Sequence, residues 1–101
     1  MVRGTTPTFQ LTLTDQTVDL TQAEHVYATF KQLNTTITKT GEDLTVTPHE
    51  VDVYLSQEDT LKFLEKEVEV QLNWTYYDGR RACSKVKTVN VDRNLEGRVL
   101  Q

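Results

Sequence analysis

An all-β fold is predicted, and three observations carry that prediction. The stretch Glu67 to Tyr76 alternates Val68, Val70, Leu72, Trp74 and Tyr76 against Glu67, Glu69, Gln71, Asn73 and Thr75. That period of two belongs to a strand with one face buried and one wet. The hydrophobic content is only 37%, yet threonine, a strand former, fills the shortfall. Turn signals also recur roughly every 8–12 residues along the chain, the spacing of short strands.

Residues 1–7 read as a loose arm ending at Pro7. Thr8 to Thr14 alternates Phe9, Leu11 and Leu13 with polar residues and makes a first strand. After a turn at Asp15-Gln16-Thr17, Val18 and Leu20 are expected in a short edge piece. Thr21-Gln22-Ala23-Glu24 has the capping-box pattern, a hydroxyl followed three residues later by a carboxylate, and predicts one helical turn. His25 to Gln32 resumes alternation, with Val26, Ala28 and Phe30 inward and Tyr27, Thr29 and Lys31 outward.

Thr35 to Lys39 and Leu44 to Thr47 are expected to pair as a hairpin. Ile37 must share a face with Val46, which requires an even loop, and Gly41-Glu42 supplies one of type II′. Pro48 ends that strand. Glu50 to Leu55 follows with Val51, Val53 and Leu55 inside. Ser56-Gln57-Glu58-Asp59 repeats the capping pattern, and Leu61, Phe63 and Leu64 predict one or two helical turns across an end of the sheet. The likeness between Leu20 to Glu24 and Leu55 to Asp59 is read as one solution to the same strand-to-helix junction rather than as duplication.

The closing hairpin turns at Asp78-Gly79, and its register follows from parity. Ala82, Ser84 and Val86 are the inward candidates of the returning strand, at even positions like those of the first. Both sets face the core only if paired positions sum to an even number. A three-residue loop, Tyr77-Asp78-Gly79, with Gly79 left-handed, satisfies this and sets Trp74 opposite Ala82. Val89 and Val91 then fall out of phase, which calls for a bulge or a change of sheet. The tail from Asp92 to Gln101 is polar and, with residues 93–101, is expected to be a second flexible arm. About seven short strands and one or two helical turns, in one domain spanning 1–101, describe an antiparallel β-sandwich of immunoglobulin type.

Composition narrows the function. With 11 basic and 15 acidic side chains the net charge is −4, which argues against nucleic acid and anionic membranes as partners. Cys83 is the only cysteine, so no internal disulfide is available, and a buried or half-buried strand position is expected for it. The opening MVRGTTPTFQ has no hydrophobic run, so no signal peptide is expected, and the tripeptides starting at Asn34 and Asn73 then carry no meaning as glycosylation sites. His25 and His49 lack partners at a metal-ligand spacing. Glu65, Glu67 and Glu69 read as a solvated face, and Asp15 with Asp19 makes a weak calcium loop. Nothing singles out Asp52 and Glu69 as a glycosidase pair. No nucleophile elbow or phosphate loop occurs, so no catalytic residue, metal or cofactor is assigned. Tyr27, Tyr54 and Tyr77, at outward positions, are candidates for a sticky patch.

Three segments carry a resemblance: Arg3-Gly4-Thr5-Thr6-Pro7-Thr8-Phe9, Val26-Tyr27-Ala28-Thr29-Phe30-Lys31-Gln32, and Leu55-Ser56-Gln57-Glu58-Asp59-Thr60-Leu61-Lys62-Phe63. With the Asp78-Gly79 hairpin they resemble small prophage proteins of Gram-positive bacteria, similar to the immunoglobulin-like N-terminal domain of siphophage baseplate upper proteins. The resemblance implies a non-enzymatic structural or adaptor module of tail or baseplate type, acting through protein contacts. Its partners would be other virion or prophage proteins or a second copy. It would reside in the bacterial cytoplasm before assembly and in the virion afterwards. The expected contact surface comprises the ends, Val2 to Thr6 with Leu95, Val99 and Leu100, and the faces bearing Tyr27 and Tyr54. The alternative is a carbohydrate-binding sandwich that uses exposed tyrosines as stacking platforms.

Overall fold

Eight strand segments in two antiparallel sheets enclose one hydrophobic core in the computed structural model, which describes residues 1–100. They are β1 (Thr8–Thr12), β2 (His25–Gln32), β3 (Thr35–Thr40), β4 (Leu44–Val46), β5 (Glu50–Tyr54), β6 (Glu67–Thr75), β7 (Arg81–Cys83) and β8 (Lys87–Asn90), with one α-helix, α1 (Gln57–Leu61). The smaller sheet has the order β1-β5-β4; the larger has β3-β2-β6-β7, with β8 also on β6. Inward side chains from both sheets meet in the core, among them Val51 and Val53 from one and Ala28, Phe30, Val68 and Val70 from the other. The rings of Phe9 and Phe30 bridge the two sheets at 5.8 Å.

The long alternation behaves as read. Val68, Val70, Leu72 and Trp74 are buried, and β2 buries Val26, Ala28 and Phe30 against them in register. Trp74 pairs with Ala82 and Thr75 with Arg81. The Tyr76 N–H donates to the Arg80 carbonyl at 2.9 Å, which leaves the three-residue loop that parity requires. Gly79 takes φ of 88° with nothing within 4 Å of where a Cβ would stand. Gly79→Val therefore meets backbone strain and no clash. A loss of at least about 1 kcal/mol in urea unfolding is the expected result.

The phase slip beyond this hairpin is a bulge. Pairs between β6 and β7 sum to 156 (Trp74 with Ala82), whereas those between β6 and β8 sum to 157 (Val68 with Val89). One extra residue is therefore inserted around Ser84 to Val86, where the Ser84 hydroxyl accepts the Leu72 N–H at 3.0 Å. β7 and β8 are thus one interrupted strand, and Val89 and Val91 return to the core side. The bulge turns Val86 outward to 49% exposure, against the expectation that it faces in.

Other expectations are corrected by the register. The hairpin of Thr35 to Lys39 with Leu44 to Thr47 does not form. β3 instead folds back on β2 through a two-residue turn at Leu33-Asn34, and β4 pairs with β5 in the other sheet. Gly41, at φ of 60°, begins a 3-10 turn over Gly41–Asp43 that carries the chain between sheets. The inward face of Ile37 was legible, but β2 offers β3 six consecutive pairs across a two-residue turn, more than the short β4 can supply. Val18 and Leu20 make no edge strand. Leu20–Gln22 is a 3-10 turn capped by Asp19, whose carboxylate accepts the Thr21 N–H, so the cap lies two residues before the one expected. At α1 the capping box of Ser56 and Asp59 forms as the pattern predicts.

Candidate functional site

The chain's loose ends converge on one end of the domain, and side-chain hydrogen bonds fasten them there. Gln32 follows Val26, Ala28 and Phe30 on the inward face of β2 and is buried. Its amide nitrogen donates to the carbonyls of Leu64 and Lys66, and its amide oxygen accepts the Leu64 N–H at 2.6 Å. The loop after α1 is thereby stitched to the Leu33-Asn34 turn. Thr60, fully buried, donates to the Thr5 carbonyl and accepts the Gly4 N–H. The Arg3 guanidinium donates to the carbonyls of Leu61 and Phe63. Val2 bridges Asp92 in parallel beside β8, and the amino terminus donates to Asn90.

Residues 1–7 are therefore docked rather than loose, because Thr60, the helix-end carbonyls and the end of β8 supply partners that no local pattern reveals. Beyond Asp92, hydrogen bonds at Asn94 and Leu100 also hold the tail to the body. Asn94 donates to the Arg3 carbonyl, and the Gln57 side chain holds both backbone groups of Leu100. Gln101, the last residue of the expected second arm, lies outside the described residues.

This end displays Val2, Leu33, Leu64 and Leu95 at 38%, 66%, 52% and 87% exposure. Val99 and Leu100 follow along the tail, also exposed. Leu33 holds φ of 51°, a left-handed conformation that a leucine resists and that no other non-glycine residue adopts among the described residues. Leu64 points to solvent, while its neighbour Phe63 is fully buried.

The tyrosines do not form one patch. Tyr54 stands at the end of β5 on the outer side of the smaller sheet, and Tyr27 stands on the outer side of the larger. Tyr77 lies at the tip of the closing turn, 78% exposed. A shallow depression of about 360 Å³ surrounds Tyr27, lined by Thr29, Thr38, Asn73, Thr75 and Arg81. The Arg81 Nε and Nη2 both donate to Asn73 Oδ1, at 3.3 and 3.0 Å. Cys83, directly opposite Asn73, is exposed, since this face of β7 is uncovered. Reading it as buried assumed a covered strand.

The acidic residues serve their own turns. Asp15 accepts the Thr17 hydroxyl and N–H, and Asp19 accepts those of Thr21; these bonds hold both carboxyls below the ordinary value. Among the described residues no group of three or more His, Cys, Asp or Glu is placed to hold a metal ion. No family model matches the chain, and comparison with curated proteins and with solved structures gives no match.

Proposed function

We propose that this chain is a non-enzymatic structural or adaptor module, of phage tail or baseplate type, whose arm-bearing end is covered by another protein chain. The observation that carries the reading is the gathering of Val2, Leu33, Leu64 and Leu95 at one end, with Leu33 held in a strained turn. Exposed apolar groups scattered singly need no explanation, but a cluster of them marks a contact surface. A strained residue at the tip of that cluster persists where something other than the domain's own stability selects it. The order β1-β5-β4 facing β3-β2-β6-β7 supports an immunoglobulin-like sandwich. In that architecture the docked N-terminal arm stands in for a first strand beside β8.

Point variants test this better than trimming, because removing residues 1–6 would also strip the Arg3 and Thr60 anchors from α1. Leu33→Gly relieves the left-handed strain and should raise stability by up to about 1 kcal/mol in urea unfolding. The same variant, and Leu64→Asp, should lose association in light scattering and in pull-downs from an induced prophage lysate, with virion proteins identified by mass spectrometry. If the unaltered protein stays monomeric and retrieves no virion protein, the assembly reading fails.

A further inference from the structure

We propose that the outer face of the larger sheet binds a carboxylate-bearing saccharide, with the carboxylate on Arg81 and a sugar ring laid against Tyr27. Four adjacent strands, in the order β3-β2-β6-β7, bring the groups together by register. Tyr27 pairs with Asn73, Thr29 with Thr38 on the other side of β2, and Thr75 with Arg81. Their spacing is therefore set by the sheet and not by loops, which is how a polar site is held rigid. The depression they line, about 360 Å³, is of a size that takes a small ligand.

The chemistry of the lining is specific. It contains no aliphatic side chain: three threonine hydroxyls, one amide, one phenol ring and one guanidinium. A ring with a hydroxyl-rich edge and an apolar C–H face matches hydroxyl and amide partners beside a half-buried tyrosine. An acidic peptide would want apolar anchor pockets, and this lining offers none.

Arg81 adds the charge requirement. Arg80 and Arg98 each pair with an acid two residues away, Asp78 and Glu96. Arg81 has no carboxylate within 4.0 Å among the described residues, although the chain carries a net charge of −4. Among the described residues its guanidinium bonds only the neutral Asn73 amide oxygen, which orients it through Nε and Nη2 and leaves Nη1 without an acceptor there. A guanidinium so held presents a fork that suits a carboxylate. On this face His25, opposite Thr75, is paired with Glu24 at 3.3 Å, and Lys31 and Glu69 stand opposite each other farther along β2 and β6.

The test uses the intact protein, titrated calorimetrically with galacturonate and glucuronate oligosaccharides, their neutral counterparts and an acidic peptide. Uronate oligosaccharides should bind at least about tenfold more tightly than the neutral ones, as a charge-assisted fork predicts. Arg81→Gln should erase that preference, Arg81→Lys should restore only part of it, and Tyr27→Ala should remove binding, all with unchanged thermal unfolding. A second readout is alkylation of the Cys83 thiol, opposite Asn73, which bound uronate should slow. Equal affinity for neutral and acidic sugars, tighter binding of the acidic peptide, or no protection of Cys83 and no binding would each overturn the proposal.

Discussion

Trp74→Ala will lower stability by about 3–5 kcal/mol, the largest single loss expected in this domain. Trp74 is 3% exposed near the end of the longest strand, between Val26 of β2 and Ala82 of β7. The small side chain of Ala82 leaves room for the indole on that edge, so truncation opens a void that neighbouring strands, pinned by their ladders, cannot close. The indole N–H donates to the Tyr76 hydroxyl at 3.0 Å. Trp74→Phe, which keeps a ring and drops that bond, should therefore cost clearly less. Urea unfolding measures both, and a midpoint unmoved by the alanine would place Trp74 on the surface.

Asp59→Ala is expected to cost about 3 kcal/mol, the low end for breaking a buried ion pair, because Lys39 retains a partial route to water. Asp59 is 7% exposed, and its Oδ2 accepts from the Lys39 ammonium at 2.7 Å and from the Ser56 N–H at 2.9 Å. Its own N–H donates to the Ser56 hydroxyl, so one side chain both starts α1 and ties it to β3. Lys39 faces inward from β3, and without Asp59 its charge would sit against the core with no partner.

The same site sets part of the acid sensitivity. Burial pushes the Asp59 carboxyl up, but the Lys39 ammonium and the two Ser56 hydrogen bonds together outweigh it and hold the carboxyl below its ordinary value. The unfolded chain therefore binds this proton more readily than the folded one. Stability from the pair is complete above the unfolded value, near about pH 4, and is lost as pH falls through the lower folded value. Wild type should lose more stability than Asp59→Asn between about pH 4 and pH 2. Asp15, Asp19, Asp78 and Glu96, also lowered by bonds within their own turns, remain in both proteins and cancel in the comparison. Parallel curves for the two would show that Lys39 does not hold the Asp59 charge.

What was legible in the sequence is what depends on neighbours along the chain. The faces of β2, β5 and β6 follow from alternation, because a strand buries every second residue whatever it pairs with. The loop at Gly79 and the pair Trp74–Ala82 follow from parity, since directly paired residues must share a face. The capping box at Ser56 follows from a spacing of three residues. Even Gln32 could have been placed inside, as the next even position of β2 after Phe30. Of the proposed contact surface, the expected members Val2, Leu95, Val99 and Leu100 were recognisable as apolar residues in polar ends, but Leu33 and Leu64 were not distinguishable from core leucines.

The rest depended on which strands became partners, and only the tertiary structure decides that. The inward face of β3 was readable from Ile37, yet both β2 and β4 could have satisfied it across a two-residue turn; the six pairs with β2 settled the choice. The arms were read as loose because their anchors, Thr60, the helix-end carbonyls and Gln57, lie more than forty residues away for each contact they make. Lys39 and Asp59 are twenty positions apart and become an ion pair only when α1 closes over β3. Tyr27, Asn73 and Arg81 likewise share no local pattern. Asn73 and Arg81 belong to one hairpin, but β2, from far earlier in the chain, had to lie beside β6 at one particular register before Tyr27 faced the same depression. Hydrogen-bonding register is a long-range property, paid for by loop-closure entropy and rewarded by shared core burial, and neither quantity is written in a window of adjacent residues.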